Sequence, residues 1–86
     1  MLSIKFTEEG EKTLHSLHID NQREIKNALK ELAEDPSLGK ALAGRLLGFY
    51  SLRMGSYRAI YSIEKEVIIV HMVGHRSEVY QTSIVS

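Results

Sequence analysis

The chain contains no cysteine. A disulfide scaffold, a thiolate zinc site and a cysteine nucleophile are therefore all excluded. It has no long hydrophobic run either: the longest, Val67-Ile68-Ile69-Val70, falls far short of the ~20 residues a membrane-spanning helix needs. Met1-Leu2-Ser3-Ile4-Lys5-Phe6 lacks a basic leader followed by an apolar stretch, so no signal peptide is read and a soluble cytoplasmic domain is expected, with no membrane partner. Net charge is missing as well. Eleven Lys and Arg balance eleven Asp and Glu, which argues against binding nucleic acid by bulk charge. Proline occurs once and apolar residues make up 43%, a composition too rich in core material for a disordered tail. The 86 residues are read as a single domain, 1–86, which at this size buries only about 60–65% of its surface on folding.

The zero net charge hides an asymmetry. Residues 1–44 carry six basic and eight acidic side chains, and residues 45–86 carry five and three, so the halves stand at −2 and +2. Four of the five basic groups in the second half are arginines: Arg45, Arg53, Arg58 and Arg76. The planar guanidinium fork suits bidentate phosphate contact better than the point charge of lysine. Salt-bridged strands use arginine too, and charge alone does not choose between these uses.

Leu2, Ile4 and Phe6 alternate with Ser3 and Lys5, the period of a short strand. Thr7 reads as the N-cap of a first helix with Glu8, Glu9 and Glu11 in its first turn, where the helix dipole favours acids. Leu14, Leu17 and His18 would form its apolar side, and Gly10 weakens it. Asp20 is expected to cap a second helix in which Ile25, Ala28, Leu29, Leu32 and Ala33 fall on one face. Pro36 ends that helix near Asp35. Residues 37–48 read as loop with at most one helical turn. From Phe49 the texture becomes strand-like: 49–54, a Gly55-Ser56 hairpin turn, 57–63, a tight turn near 64–66, then 67–73, apolar on both faces as in a strand inside a sheet. The tail from His75 to Ile84 reads as a short strand or a loose end. The order β-α-α-β-β-β predicts an α+β fold, with two N-terminal helices on one face of a small antiparallel sheet and the other face available to a ligand.

Alternation puts Arg53 on a face with Phe49 and Ser51, and Arg58 on a face with Ile60 and Ser62. The hairpin brings these strands together, but whether the two arginines converge depends on a register that alternation does not specify. The end of the last strand delivers His75, Arg76 and Tyr80. Arginines to hold phosphate, a tyrosine to stack on a base and an imidazole to move protons near neutral pH are together suited to RNA. Each has an ordinary alternative: a strand arginine is often a solvated edge residue, and Tyr50, Tyr57 and Tyr61 read better as core or rim aromatics than as base stackers. His15 and His18 have helical i, i+3 spacing, but with no third ligand in an obvious place no metal site is expected. No cofactor is implied, and no Ser-His-Asp set or glycine-rich phosphate loop is readable.

Two segments take the reading further. Leu46-Leu47-Gly48-Phe49-Tyr50-Ser51-Leu52-Arg53-Met54-Gly55-Ser56-Tyr57-Arg58-Ala59-Ile60-Tyr61 resembles the central stretch of the RelE/ParE toxin superfamily: a tyrosine-bearing strand, an arginine, a glycine turn, then Tyr-Arg, two apolar residues and Tyr. Val73-Gly74-His75-Arg76-Ser77-Glu78-Val79-Tyr80 resembles the RelE-type ending of Gly-His-Arg, a short spacer and Val-Tyr. With the strand-helix-helix opening, the resemblance spans nearly the whole chain.

The resemblance implies the toxin of a type II toxin–antitoxin pair. RelE-type members cut mRNA in the ribosomal A site, the 2′-hydroxyl attacking the adjacent phosphate. Carried over by motif, Arg58 and Arg76 would hold the scissile phosphate and stabilise its developing charge. Arg53 would assist the nucleophile or phosphate, Tyr80 would orient or stack on the message, and His75 would act as general acid or base. Arg45 and Ser51 would be flanking substrate contacts; Ser51 stands where some RelE members carry lysine. The implied partners are the ribosome with its mRNA and a RelB-like antitoxin encoded adjacently, in a hetero-oligomeric complex. The alternatives are a ParE-like inhibitor of DNA gyrase and a weakened toxin that mainly binds its antitoxin.

Overall fold

The computed structural model describes residues 1–79; Tyr80 and the rest of the expected tail lie outside the described residues. The chain runs β1 (Ser3–Phe6), α1 (Glu8–His15), α2 (Ile19–Glu34), β2 (Lys40–Ala41), β3 (Tyr50–Met54), β4 (Tyr57–Glu64) and β5 (Val67–His75), with short 3₁₀ turns at Pro36–Leu38 and Gly44–Leu46. The sheet order is β1-β5-β4-β3-β2. Among the described residues no helix is long and apolar enough to cross a membrane.

Thr7 caps α1 as its sequence position suggests, its Oγ1 accepting from the Gly10 N–H at 3.0 Å. Gly10 proves to be a packing residue. A Cβ there would collide with the Val70 carbonyl oxygen, so its absence lets α1 lie directly on β5. For α2 the expected cap is corrected: His18 is the N-cap, its Nδ1 accepting from the Asp20 N–H at 3.1 Å, and Asp20 sits within the first turn. His18 is accordingly exposed rather than part of an apolar side. Ile25, Leu29, Leu32 and Ala33 are buried as their periodicity requires, and the helix stops at Asp35 before Pro36.

The sheet is mixed, which corrects the expectation of an antiparallel one. β2 to β5 form an antiparallel meander, but β1 pairs parallel to β5, with Ser3 opposite Val67 and Phe6 opposite Val70. Alternation identifies β1 as a strand without naming its neighbour. The meander leaves one edge of β5 open, and β1 fills it, with the Thr7 N–H donating to Val70 O at 3.0 Å.

The helices cover one sheet face. Between them lies the main core, including Leu14, Ile25, Leu29, Leu52, Ala59, Tyr61, Ile68 and Val70. The opposite face carries a smaller cluster of Ile60, Met72 and Val79, with Leu42 and Phe49 against it. One irregularity interrupts the β4–β5 ladder. Ile60 pairs with Met72 and Tyr61 with Val70, so His71 is an extra residue, a β-bulge that reverses the facing of everything after it in β5.

Candidate nucleic-acid interface

The β3–β4 hairpin sets the geometry. Its two-residue loop has Gly55 at φ 63° and Ser56 at negative φ, as a type II′ turn requires. Met54 and Tyr57 close the loop, and the next pair places Arg53 directly opposite Arg58. With a two-residue loop this second pair is not hydrogen-bonded, the class in which Cα atoms are only about 4.5 Å apart and side chains closest. Both arginines lie on the face away from the helices. Arg58 is in turn opposite Gly74 on β5, and the Arg76 N–H donates to Ser56 O at 2.9 Å. Register and one backbone hydrogen bond thus gather three arginines at one end of the sheet.

Arg58 is half-buried, and its Nη1 donates to Tyr57 O at 3.1 Å and Gly55 O at 3.4 Å, which holds the side chain against the turn. Arg53 and Arg76 are exposed. Among the described residues the one ion pair is His18–Asp20 at 3.6 Å, so no carboxylate neutralises these guanidiniums. Like charges placed directly opposite each other destabilise a strand pair. An anion bound between them reverses the sign of that interaction, and guanidinium forks match phosphate oxygens two at a time.

The other sequence-derived residues are distributed differently. Ser51 is buried on the arginine face, opposite Ile60 and Lys40. Lys40 is a further cation on that face which sequence reasoning does not select, because its two-residue strand has no readable alternation. Arg45 is exposed in the Gly44–Leu46 turn, at the other end of β3 from Arg53. Tyr50 and Tyr57 pack at the margin of the main core and Tyr61 is fully buried within it, in keeping with their reading as core and rim aromatics.

His75 does not share the arginine face. It pairs with Tyr57, whose ring belongs to the helix-side core, and the two rings meet edge to face at 5.9 Å. The His75 Nδ1 accepts from the Ser77 N–H at 3.1 Å, and the Tyr57 hydroxyl accepts from Asn21 Nδ2 at 3.3 Å. The imidazole on the arginine face is that of His71. Its Nε2 lies 2.7 Å from Ser62 Oγ and its ring meets Phe49 edge-on at 5.0 Å. Burial lowers its pKa, opposed by the negative charge of Glu64. Strict two-residue alternation would put His71 and His75 on one face; the bulge separates them, and no composition signal marks the bulge.

Where β1 ends, the lower part of β5 borders a cleft of about 270 Å³ between the end of α1 and the turn after β5. Tyr57, Gly74, His75 and Glu78 are among its lining residues. Among the described residues no cluster of three or more His, Asp or Glu is placed to hold a metal ion.

This architecture has known counterparts. A family profile described as the ParE toxin of the type II toxin–antitoxin system parDE matches residues 4–80. The chain is 30% identical over 83 residues to Toxin RelG of Mycobacterium tuberculosis, covering 92% of this chain and 95% of that one. In the crystal structure of the RelBE2 toxin–antitoxin complex from the same organism, one chain superposes with a TM-score of 0.81 at 29% identity, over 87% of this chain and 98% of that one. The isolated E. coli RelE toxin superposes with a TM-score of 0.76 at 27% identity, over 98% and 96%. The arginine-bearing hairpin therefore belongs to a member of the RelE/ParE family of toxins of type II toxin–antitoxin systems.

Proposed function

We propose that this toxin cleaves mRNA presented by the ribosome, the message's own 2′-hydroxyl attacking the adjacent phosphate in the A site. The observation that carries this reading is the opposed pair Arg53–Arg58, un-neutralised by any carboxylate among the described residues, with Arg76 tied to the same turn. Fixed guanidiniums around one phosphate stabilise charge as it builds on the phosphoryl oxygens, and they need no reorganisation when the reaction occurs. Arg58, held by two backbone carbonyls, is the positioned member. Arg53 and Arg76 supply exposed forks at the same turn, and Tyr80 would orient or stack on the message. Arg45 and Ser51 are secondary contacts along the message. His75, on the other side of the sheet, would reach the reacting atoms only around the end of β5.

Neutral overall charge supports a dependence on the ribosome. Counterion release contributes little general affinity, so free RNA is expected to bind poorly. The partner in the resting cell is an adjacently encoded, RelB-like antitoxin, in line with the toxin–antitoxin complexes formed by the structural relatives, and both act in the cytoplasm. The test is induced expression followed by mapping of mRNA 5′ ends. Cuts in codon register on translated messages, lost in Arg58→Ala and Arg76→Ala, are the expected result. The ParE description of the matching family profile favours one other reading, inhibition of DNA gyrase. Intact mRNA together with a DNA-damage response would establish it instead.

A further inference from the structure

We propose that Lys40 binds a second phosphate, next in the message to the one held by the arginines, so that the RNA backbone runs from the β3–β4 turn along the β2 edge of the sheet. This deepens the mRNA reading above and rests on it for the identity of the polyanion. β2 is only two residues long, yet its placement is fixed from both sides. Lys40 pairs with Ser51 and Ala41 with Tyr50, and the Leu42 N–H donates to Phe49 O at 3.0 Å. Before Lys40, a Cβ added at Gly39 would fall on the Tyr61 hydroxyl, so position 39 faces the helix-side core. Alternation then turns Lys40 to the opposite face. Pairing with Ser51 gives the same answer, because Ser51 and Arg53 share a face of β3.

The ladder also sets distances along the face. The Lys40–Ser51 row lies two residues, about 6.8 Å, from the Arg53–Arg58 row, and neighbouring strands are about 4.8 Å apart. The Lys40 Cα is therefore about 8 Å from that of Arg53 and about 12 Å from that of Arg58. Arg58 folds towards Gly55 O and Tyr57 O, away from the Lys40 row. A phosphate that it holds sits at the turn, and Lys40 is left to a neighbouring one. Between the rows Ser51 is buried and uncharged, so β3 itself supplies no cation there. Lys40 is exposed, and the one ion pair among the described residues, His18–Asp20, does not involve it. An ammonium is a point charge with three donors, suited to gripping a backbone phosphate from any direction. Beyond Lys40 the same edge leads to the Gly44–Leu46 turn, where Arg45 is exposed. Arg53, Lys40 and Arg45 thus follow one margin of the sheet in a chain whose net charge is zero.

The test uses the full chain with fluorescein-labelled hexauridylate over a range of low salt concentrations, and inorganic phosphate titrated separately. Lys40→Met keeps the aliphatic stem and removes the charge. It should weaken hexauridylate binding roughly fivefold and reduce the slope of log K against log salt by about 0.7, the value for one phosphate contact on a single strand. Affinity for inorganic phosphate should be unchanged, and Lys40→Arg should keep the wild-type slope. Lys65→Met removes an exposed lysine at the far turn, between β4 and β5. It should leave affinity and slope as they are, which separates a local contact from a loss of net charge. A wild-type chain that binds no hexauridylate, an unchanged slope in Lys40→Met, an equal change in Lys65→Met, or a parallel loss of inorganic phosphate affinity would each overturn the site. The same variant is then mapped on translated messages. Fewer cuts in Lys40→Met than in the wild type at equal expression support the role in cleavage, and equally frequent cuts overturn that role. Lys40-dependent hexauridylate binding by a wild-type chain that makes no cuts refutes the mRNA-cleavage reading while the second phosphate site stands.

Discussion

Replacing Tyr61 with phenylalanine should make this protein more stable. Tyr61 is fully buried, and its hydroxyl has no hydrogen-bond partner among the described residues. The oxygen points at Gly39, where any Cβ would collide with it. A buried hydroxyl without a partner carries a desolvation penalty of ~1–3 kcal/mol. Removing it sacrifices only the few dispersion contacts of one oxygen atom. A net gain of about 1 kcal/mol at pH 7 is expected, or roughly 5 °C in melting temperature for a domain of this size. The pH dependence gives an independent check. Burial, with a smaller contribution from Tyr50, pushes the Tyr61 pKa from its ordinary 10.0 up to about 12. The folded state therefore holds this proton more tightly than the unfolded state, so the stabilisation is complete below pH 10 and is lost as pH rises towards 12. By pH 11 the wild type should have lost roughly 1 kcal/mol through this group, and Tyr61→Phe none. The difference between the two should widen from about 1 kcal/mol at pH 7 to about 2 kcal/mol at pH 11. Urea unfolding of both proteins at each pH cancels the contributions of lysines and other tyrosines. If Tyr61→Phe is destabilised by about 1 kcal/mol or more at pH 7, the hydroxyl has a partner and the reasoning fails. Parallel pH curves would show that the hydroxyl titrates in the folded chain as it does in the unfolded one, and that burial does not raise its pKa.

Other sites yield sharper contrasts between local preference and tertiary demand. Gly10→Ala should destabilise by ~2 kcal/mol or more in thermal unfolding, against the ~1 kcal/mol gain that helix propensity alone predicts, because the added Cβ meets the Val70 carbonyl. Arg53→Glu should raise stability by about 0.5 kcal/mol by turning a like-charged cross-strand pair into an attractive one. The same change should abolish inorganic phosphate binding by titration; unchanged phosphate affinity would remove Arg53 from the site. Burial lowers the His71 pKa, so the unfolded state binds a proton more readily. Stability is therefore full above the ordinary histidine range and falls as pH drops from about 6.5. His71→Gln should flatten that part of the pH–stability curve, and an unchanged slope would mean that the ring is not desolvated.

Much of this molecule is legible in its sequence because the signals are local. Thr7 and the acids after it start α1, the spacing of Ile25 to Ala33 orients α2, and Pro36 ends it. Gly55 can take the positive φ that the hairpin needs, and that turn alone suffices to predict a β3–β4 pair. The points where sequence and structure part share a physical cause. Asp20 resembles a cap because caps are judged by residue type, but the helix begins two residues earlier and the His18 ring nitrogen accepts from the Asp20 N–H. β1 reads as one more antiparallel strand because alternation records facing and is silent on partners. Gly10 resembles a helix weakness because its contact is with a carbonyl sixty residues away in the chain.

The candidate site divides in the same way. Its chemistry, arginines around a glycine turn followed by Gly-His-Arg, is written in residue types and spacing, and so is membership of the RelE/ParE family. Its geometry required the fold. Only the pairing of β3 with β4 sets Arg53 against Arg58, and only the bond from Arg76 N–H to Ser56 O brings the chain end to the same turn. The bulge at His71 then decides which imidazole faces the arginines, because one extra residue in a strand inverts every facing after it. Composition and spacing determined which groups this protein possesses. Strand register, a long-range property that no local window contains, decided which of them meet.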